Sequence, residues 1–466
     1  MLQSVRDGLR RWAVWKGRSA NRQIFGHALA LGGLAILAKL ATVARDLVVA
    51  HHFGASDEVD AFLVAFLVPA YAVSMLYGTL SAAFLPTFVG VRDRQGRQAA
   101  QQLLSSCLGR ILMGSIVAVA LLLLTSQYFL PLVASRFTPE KLALTQSIFV
   151  ALVLVLLVSG ATHLFTAVLN AEHQFTVPAI SPMLIPLSAI VALFTLWPAW
   201  GIYALVWGTV VGFCLETVVL AVTVKRIGMS LWPSLAGSDE PLRQVRRQYF
   251  AAVGSGLLMG SSTVIDQAMA ASLAPGSVAV LNYGGKLASF VIGTATTSLV
   301  IAIFPYFSRM VARSDWNAVR HTLRAYVKLV LFISMPLTAV LILLSEPIAR
   351  LLFERGAMTH ETTQLVATVQ KYYLLQLPFY TVGMLGVRLL SAMQGNDALV
   401  KVALINMVVN IIGNLVFSHY LGVAGIALST SLVYAEACLV IYWILWYRLR
   451  EASKGRDAGL TPQSSL

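Results

Sequence analysis

The chain alternates long apolar runs with short polar turns. A membrane-spanning helix needs about 20 mostly apolar residues, at about 1.5 Å of rise each. That window predicts twelve spans, at residues 25–46, 60–88, 110–132, 144–169, 178–197, 201–224, 248–273, 278–308, 325–345, 365–392, 398–418 and 424–447. Very short turns join 178–197 to 201–224 and 398–418 to 424–447, so each pair reads as an antiparallel hairpin. The expected fold class is an all-α polytopic membrane protein.

Composition agrees. Hydrophobic residues make up 58% of the chain and charged residues 12%, with mean hydropathy +0.77. A soluble domain averages about 45–50% apolar and about 25% charged, so an ordinary soluble protein is excluded. The placement of Lys and Arg predicts orientation. With the N-terminus in the cytoplasm, the cytoplasmic segments hold Arg92, Arg94, Arg97, Arg110, Lys225, Arg226, Arg243, Arg246, Arg247, Arg309, Arg313, Arg320, Arg324 and Lys401, besides the basic termini. The other side holds Arg45, Arg136, Lys141, Arg350 and Arg355. Both termini are therefore expected inside. The same bias accounts for most of the net charge of +14, with no need for a nucleic-acid partner.

Residues 1–24 read as a basic cytoplasmic lead-in at the headgroups rather than a cleaved signal peptide. Residues 448–466 read as a polar, disordered tail. Cys107, Cys214 and Cys438 are scattered and give neither a metal site nor a disulfide framework.

A weak repeat divides the chain. The second span ends AAFLPTF and the eighth ends AIFPYF, each with a proline (Pro86, Pro305) just before a basic loop. At a similar spacing, Gly201-Ile202 and Gly425-Ile426 each open the last span of a six-span half. The predicted architecture is two pseudo-symmetric six-helix lobes, 25–225 and 248–447, joined by a linker at 226–247. Parallel repeats of this kind place the substrate between them. Prolines at 69, 86, 178, 182, 186, 305, 336 and 378, with Gly254, Gly256 and Gly260, are candidate bending points.

Ionisable residues inside the bilayer are costly and mark candidate sites. They are Lys39, Glu216, Asp266, Lys286, Lys371, Arg388 and Glu436, with Arg45 and Asp46 read as ending the first span. Lys371 and Arg388 lie near span ends and can snorkel. Lys39 and Lys286 come from different halves and would suit an anion such as a phosphate or diphosphate in one cavity. The competing reading pairs each with a nearby carboxylate; Lys39 and Asp46, seven apart, share a helix face. The eleventh span carries Asn406, Asn410 and Asn414 on one face. With Asp266, Thr430 and Glu436 they could supply oxygen ligands for a small cation, although plain interhelical hydrogen bonding is the commoner use.

The stretch VARDLVVAHHFGASDEVDAFLVAFLVP resembles the first helical hairpin of the MurJ/MviN lipid II flippases, within the MOP exporter superfamily. NYGGKLASFVIGTATTSLVIAIFPYFSRM resembles their eighth helix. The resemblance runs in order over about residues 25–447. It implies two six-helix lobes around a V-shaped cationic cavity that receives the diphosphate of an undecaprenyl-linked glycan. The matching positions are Lys39, Arg45, Asp60 and Lys286. It also implies a sodium coupling site, matched by spacing at Asp266, Asn410, Asn414, the Ile426 carbonyl and Thr430. The chain departs from the family pattern at Val73-Ser74, where relatives carry an arginine, and at Ser289, where they carry an acid. It also ends after twelve predicted spans where lipid II flippases usually have two more. A related lipid-linked oligosaccharide, such as an exopolysaccharide repeat unit, is therefore an alternative cargo.

The resemblance further implies a multi-pass protein of the bacterial inner membrane, working beside other cell-envelope glycan biosynthesis proteins. A cation-coupled multidrug exporter of the same superfamily is the first alternative; it should expose carboxylates to its cavity. An enzyme such as a polymerase or ligase is disfavoured. Its chemistry would have to come from the loop at 346–364, with Glu354, Arg355, His360 and Glu361.

Overall fold

The computed structural model describes residues 20–235 and 239–457, with the backbone alone over 20–31, 453–457 and parts of 251–261 and 295–305, and at 239 and 396. Pro305, Gly254, Gly256 and Gly260 fall in those backbone-only stretches, and residues 1–19 of the basic lead-in and 458–466 of the expected tail lie outside the described residues. Among the described residues, twelve long helices form the body: α1 (Ala20–Phe53), α2 (Asp57–Gln95), α3 (Arg97–Val133), α4 (Pro139–Ala171), α5 (Thr176–Trp200), α6 (Ile202–Arg226), α7 (Asp239–Ala271), α8 (Ser277–Ala312), α9 (Trp316–Leu343), α10 (His360–Ala392), α11 (Asn396–Leu421) and α12 (Val423–Asp457). Among the described residues, nine of them are long and apolar enough to cross a membrane. A short helix, Ser345–Phe353, lies between α9 and α10.

The ends follow local chemistry. Ser56 and Thr138 cap α2 and α4, each accepting a backbone N–H three residues on. Pro139 sits in the first turn of α4, where a missing N–H costs nothing. In α2, Pro69 is followed by a six-residue π-helical stretch, Val73–Gly78. The proline removes one ladder donor, and the extra residue of the π turn shifts the register of the second half of the helix.

Three expectations change. Helix α1 does not stop at Arg45-Asp46 but runs to Phe53, because residues 47–53 contain no breaker and Gly54 (φ +61°) ends the helix instead. Helix α12 continues through Asp457, so the expected disordered tail is helical over 448–457. The repeat also shifts in register. The turn into α6 is Gly201 (φ +51°), and its counterpart before α12 is Gly422 (φ +57°) rather than Gly425. Gly425 instead permits close packing, since a Cβ there would strike the Phe417 backbone of α11.

Helices α1–α6 and α7–α12 make two lobes. We call the end carrying Arg92, Arg94, Arg226 and Arg313 the basic face, and the other end the far face. Toward the far face, both lobes share one continuous core, with Phe53, Phe62 and Phe149 packed together with Tyr283, Phe353 and Val366. Toward the basic face the core divides. Phe84, Phe88, Leu104 and Leu164 fill one lobe; Ile303, Phe307, Leu385 and Leu445 fill the other. One core splitting into two is the packing of a V that opens toward the basic face.

Candidate functional site

Between the lobes lies a cavity of about 530 Å³. Helix α1 contributes Lys39, Thr42 and Val43 to its wall; α7 contributes Asp266 and Gln267; α8 contributes Lys286, Ser289 and Gly293. Three tyrosines complete it, Tyr373 and Tyr380 on α10 and Tyr434 on α12, with Thr430. The Tyr380 and Tyr434 rings meet edge to face at 5.1 Å. Lys39 and Lys286, predicted from opposite halves to face one cavity, both line it.

The two lysines differ. The Lys286 ammonium lies 2.8 Å from Asp46 Oδ2, so this ion pair crosses from lobe to lobe. Asp46 also accepts from Arg45 at 2.6 Å. Its side chain is only 7% exposed. Asp46 is therefore the partner of Lys286 and Arg45, not of Lys39. Among the described residues, no carboxylate lies within 4 Å of the Lys39 ammonium. It rests against α8 at Gly293, where any Cβ would collide with Nζ. A cation without an acid partner, facing a cavity, is positioned for an external anion.

Arg45 borders this arrangement through Asp46 and does not line the cavity wall. Asp60 lies elsewhere. It is 1% exposed and accepts from Gly276 N at 2.7 Å, Ala279 N at 2.9 Å and Lys141 Nζ at 2.8 Å. Lys141 also reaches Asp57 at 2.6 Å and sits over the Phe137 ring. A first-turn carboxylate of α2 thus satisfies the free N–H groups at the start of α8, a favourable match for a helix N-terminus. Asp60 fastens the lobes together and takes no part in the cavity.

More contacts seal the far face. Tyr283 donates to the Gly54 carbonyl at 3.0 Å, and Ala357 N donates to the His51 carbonyl at 2.9 Å. Gly276 (φ +82°) packs so tightly on Ala55 that a Cβ would strike its carbonyl oxygen. In the neighbouring loop the charges pair internally: Arg350 with Glu346 at 2.6 Å and His360 with Glu354 at 2.8 Å.

The five residues of the expected cation site gather together: Asp266 and Thr430 line the cavity, and Asn410, Asn414 and Ile426 are buried behind them. Asp266 Oδ1 accepts from Asn410 at 2.9 Å and Asn414 at 2.7 Å; its Oδ2 accepts from Thr430 at 3.1 Å. The Thr430 hydroxyl also reaches the Ile426 carbonyl at 3.0 Å. Asn414 Oδ1 is buried without a hydrogen-bond partner. One carboxylate, two amide oxygens, a hydroxyl and a carbonyl make an oxygen-only donor set, and the orphan amide oxygen is an acceptor awaiting a positive partner. The donor set fits a small hard cation. Asn406 stands apart; with its amide turned to satisfy both groups, it donates to Glu436 Oε2 at 2.9 Å.

Sequence reasoning missed Asp46 as the partner of Lys286, because an interhelical pair leaves no spacing in the chain. It also passed over Tyr373 and Tyr380. Their signal was legible: two tyrosines seven residues apart inside a span, rather than at its interfacial ends where tyrosine is enriched.

Comparison with known proteins now adds to this geometry. The family model described as lipid II flippase MurJ matches residues 49–460. A probable lipid II flippase MurJ of Synechocystis sp. is 26% identical over 438 residues, covering 90% of this chain and 81% of the relative. The lipid II flippase MurJ of Burkholderia cenocepacia is 26% identical over 442 residues, covering 89% and 82%. Among solved structures, a lipid II flippase MurJ in an inward closed conformation superposes with a TM-score of 0.79 at 21% identity, covering 92% of this chain and 90% of that one. An inward-facing MATE-family multidrug transporter of the MOP superfamily gives 0.75 at 14% identity, covering 92% and 99%. These superpositions establish the shared two-lobe fold.

Proposed function

Because the chain belongs to the lipid II flippase MurJ family, we propose that it moves a polyprenyl-diphosphate-linked glycan across the membrane by alternating access. The observation that carries this reading is the pair of lysines, Lys39 and Lys286, on one cavity between the lobes. The positive-inside bias puts the basic face in the cytoplasm of a bacterial inner membrane, with both termini there. The cavity then loads from the cytoplasmic side. Enzymes of cell-envelope glycan synthesis would supply the cargo.

The geometry suggests how loading leads to opening. The headgroup diphosphate first meets the Lys39 ammonium. A second phosphate then competes with Asp46 for Lys286. Each lysine–phosphate contact is a charge-assisted hydrogen bond of about 1.5–3 kcal/mol. Drawing Lys286 from Asp46 removes a bond between the lobes and so weakens closure at the far face. The lipid tail stays in the bilayer while the headgroup crosses.

Sodium is the proposed coupling ion. Asp266, Asn410, Asn414, the Ile426 carbonyl and Thr430 would hold it, and its charge would offset that of Asp266. Neutralising Asp266 leaves the cavity wall more favourable to an anion.

The cargo reading is tested by producing the chain in a bacterium depleted of its own lipid II flippase. Rescue of growth identifies lipid II. Failure of rescue, together with translocation of another undecaprenyl-diphosphate glycan in proteoliposomes, identifies a related repeat unit. Failure of both overturns the reading.

A further inference from the structure

A second crevice, of about 610 Å³, lies between the lobes near the basic face and shares no lining residue with the central cavity. Helices α2 and α3 form one wall and the first half of α7 the other. We propose that this crevice binds an anionic glycerophospholipid of the cytoplasmic leaflet.

Three observations identify the occupant. First, one end is cationic. Arg110 of α3 faces Arg243 and Arg246 of α7, so the charge comes from both lobes. Arg110 donates to the Ser106 carbonyl of its own helix at 3.1 Å, and Arg243 has only a distant, exposed contact with Glu240 at 3.7 Å. Among the described residues, no carboxylate lies within 4 Å of Arg110 or Arg246. Basic pockets between helices on the cytoplasmic side suit lipid phosphates. Second, the other end is apolar and open to the bilayer. Val117 and Leu121 of α3 are more than half exposed, and Leu80 and Tyr77 form the floor. Third, the length is that of one leaflet. Arg110 to Leu121 spans about 16 Å along the helix, roughly half of a ~30 Å hydrocarbon core. A soluble anion would use the arginines and leave the apolar end unfilled.

The crevice forms because α7 serves two lobes. Its deep half brings Asp266 to Asn410 and Asn414. Its first half docks Val245 into the core of the other lobe. The linker before it is strapped to α3, with Ser230 and Gln101 exchanging two hydrogen bonds at 2.7 and 2.8 Å. The π turn at Val73–Gly78 places Leu76 and Tyr77 on the crevice wall, with the Tyr77 hydroxyl held by Ser115 at 2.5 Å. A lipid seated there touches both lobes at the face where their cores separate.

The test is native mass spectrometry of the full chain titrated with phosphatidylglycerol, cardiolipin or phosphatidylcholine. Retained adducts should favour the anionic lipids. Arg110→Gln with Arg246→Gln should weaken them by roughly fivefold per arginine removed. Arg226→Gln with Arg313→Gln, a charge-matched change elsewhere on the basic face, should leave them unchanged. Leu121→Trp, which fills the apolar end, should weaken them with all arginines intact, so the proposal stays testable if the double arginine variant fails to fold. Equal retention of phosphatidylcholine, unchanged adducts in the folded variants, or displacement by inorganic phosphate alone would overturn it.

Discussion

Replacing Asp46 with asparagine should loosen the far face. Asp46 is 7% exposed and holds two cations, Arg45 at 2.6 Å and Lys286 at 2.8 Å. Arg45 is on the same helix, so of these two contacts the one to Lys286 resists separation of the lobes. Breaking a fully buried ion pair costs about 3–5 kcal/mol. Lys286 keeps 24% of its surface and borders the cavity, so water relieves part of that cost. About 2 kcal/mol remains, which is roughly 30-fold in the ratio of closed to open far face. A cysteine at Ser289, which lines the cavity, reports the change once Cys107, Cys214 and Cys438 are replaced by alanine. In oriented proteoliposomes, a membrane-impermeant maleimide added at the far face should label it about 10- to 30-fold faster in Asp46→Asn. Asp46→Glu should label close to the parent rate. An unchanged or slower rate in Asp46→Asn would refute the argument that this pair holds the lobes together.

Asp60→Ala leaves Lys141 with the more exposed Asp57 alone and frees two N–H groups at the start of α8. It should cost about 3 kcal/mol and lower the melting temperature, and Asp60→Asn, whose amide oxygen can still accept from one of those N–H groups, should lose less. Asn414→Leu removes the unpaired buried oxygen beside Asp266. Thermal stabilisation by added sodium should disappear in this variant and should be stronger in Asn414→Asp; equal sodium responses in all three proteins would contradict the cation site.

Much of the fold was legible because burial in lipid leaves a simple trace. Each of the twelve apolar windows corresponds to a long helix, and the two short-turn pairs are the hairpins α5–α6 and α11–α12. Gly201 and Gly422 carry the same left-handed turn, yet the repeat read from residue identity paired Gly201 with Gly425. Backbone conformation, rather than the dipeptide, is what recurs. The end of α1 was misplaced because charged residues look like a boundary. Asp46 remains inside the helix because its charge is matched from α8, and that information lies some 240 positions away in the chain.

The candidate site divides in the same way. Residues that share a helix face, such as Asn410 and Asn414, were found together. Asp60 illustrates the limit. A carboxylate in a helix-opening motif gives no sign of whether it faces a ligand or the start of another helix. Only the packing of α2 against α8 shows that Asp60 lies at the far face, away from the cavity that Lys39 and Lys286 line.

The most direct test of the account is transport of an undecaprenyl-diphosphate-linked sugar in proteoliposomes by Lys39→Ala, Lys286→Ala and the double variant, at matched protein levels. Losing one charge-assisted contact should slow translocation by roughly tenfold or more, and losing both should abolish it. Transport at the parent rate in all three would contradict the claim that these lysines receive the diphosphate.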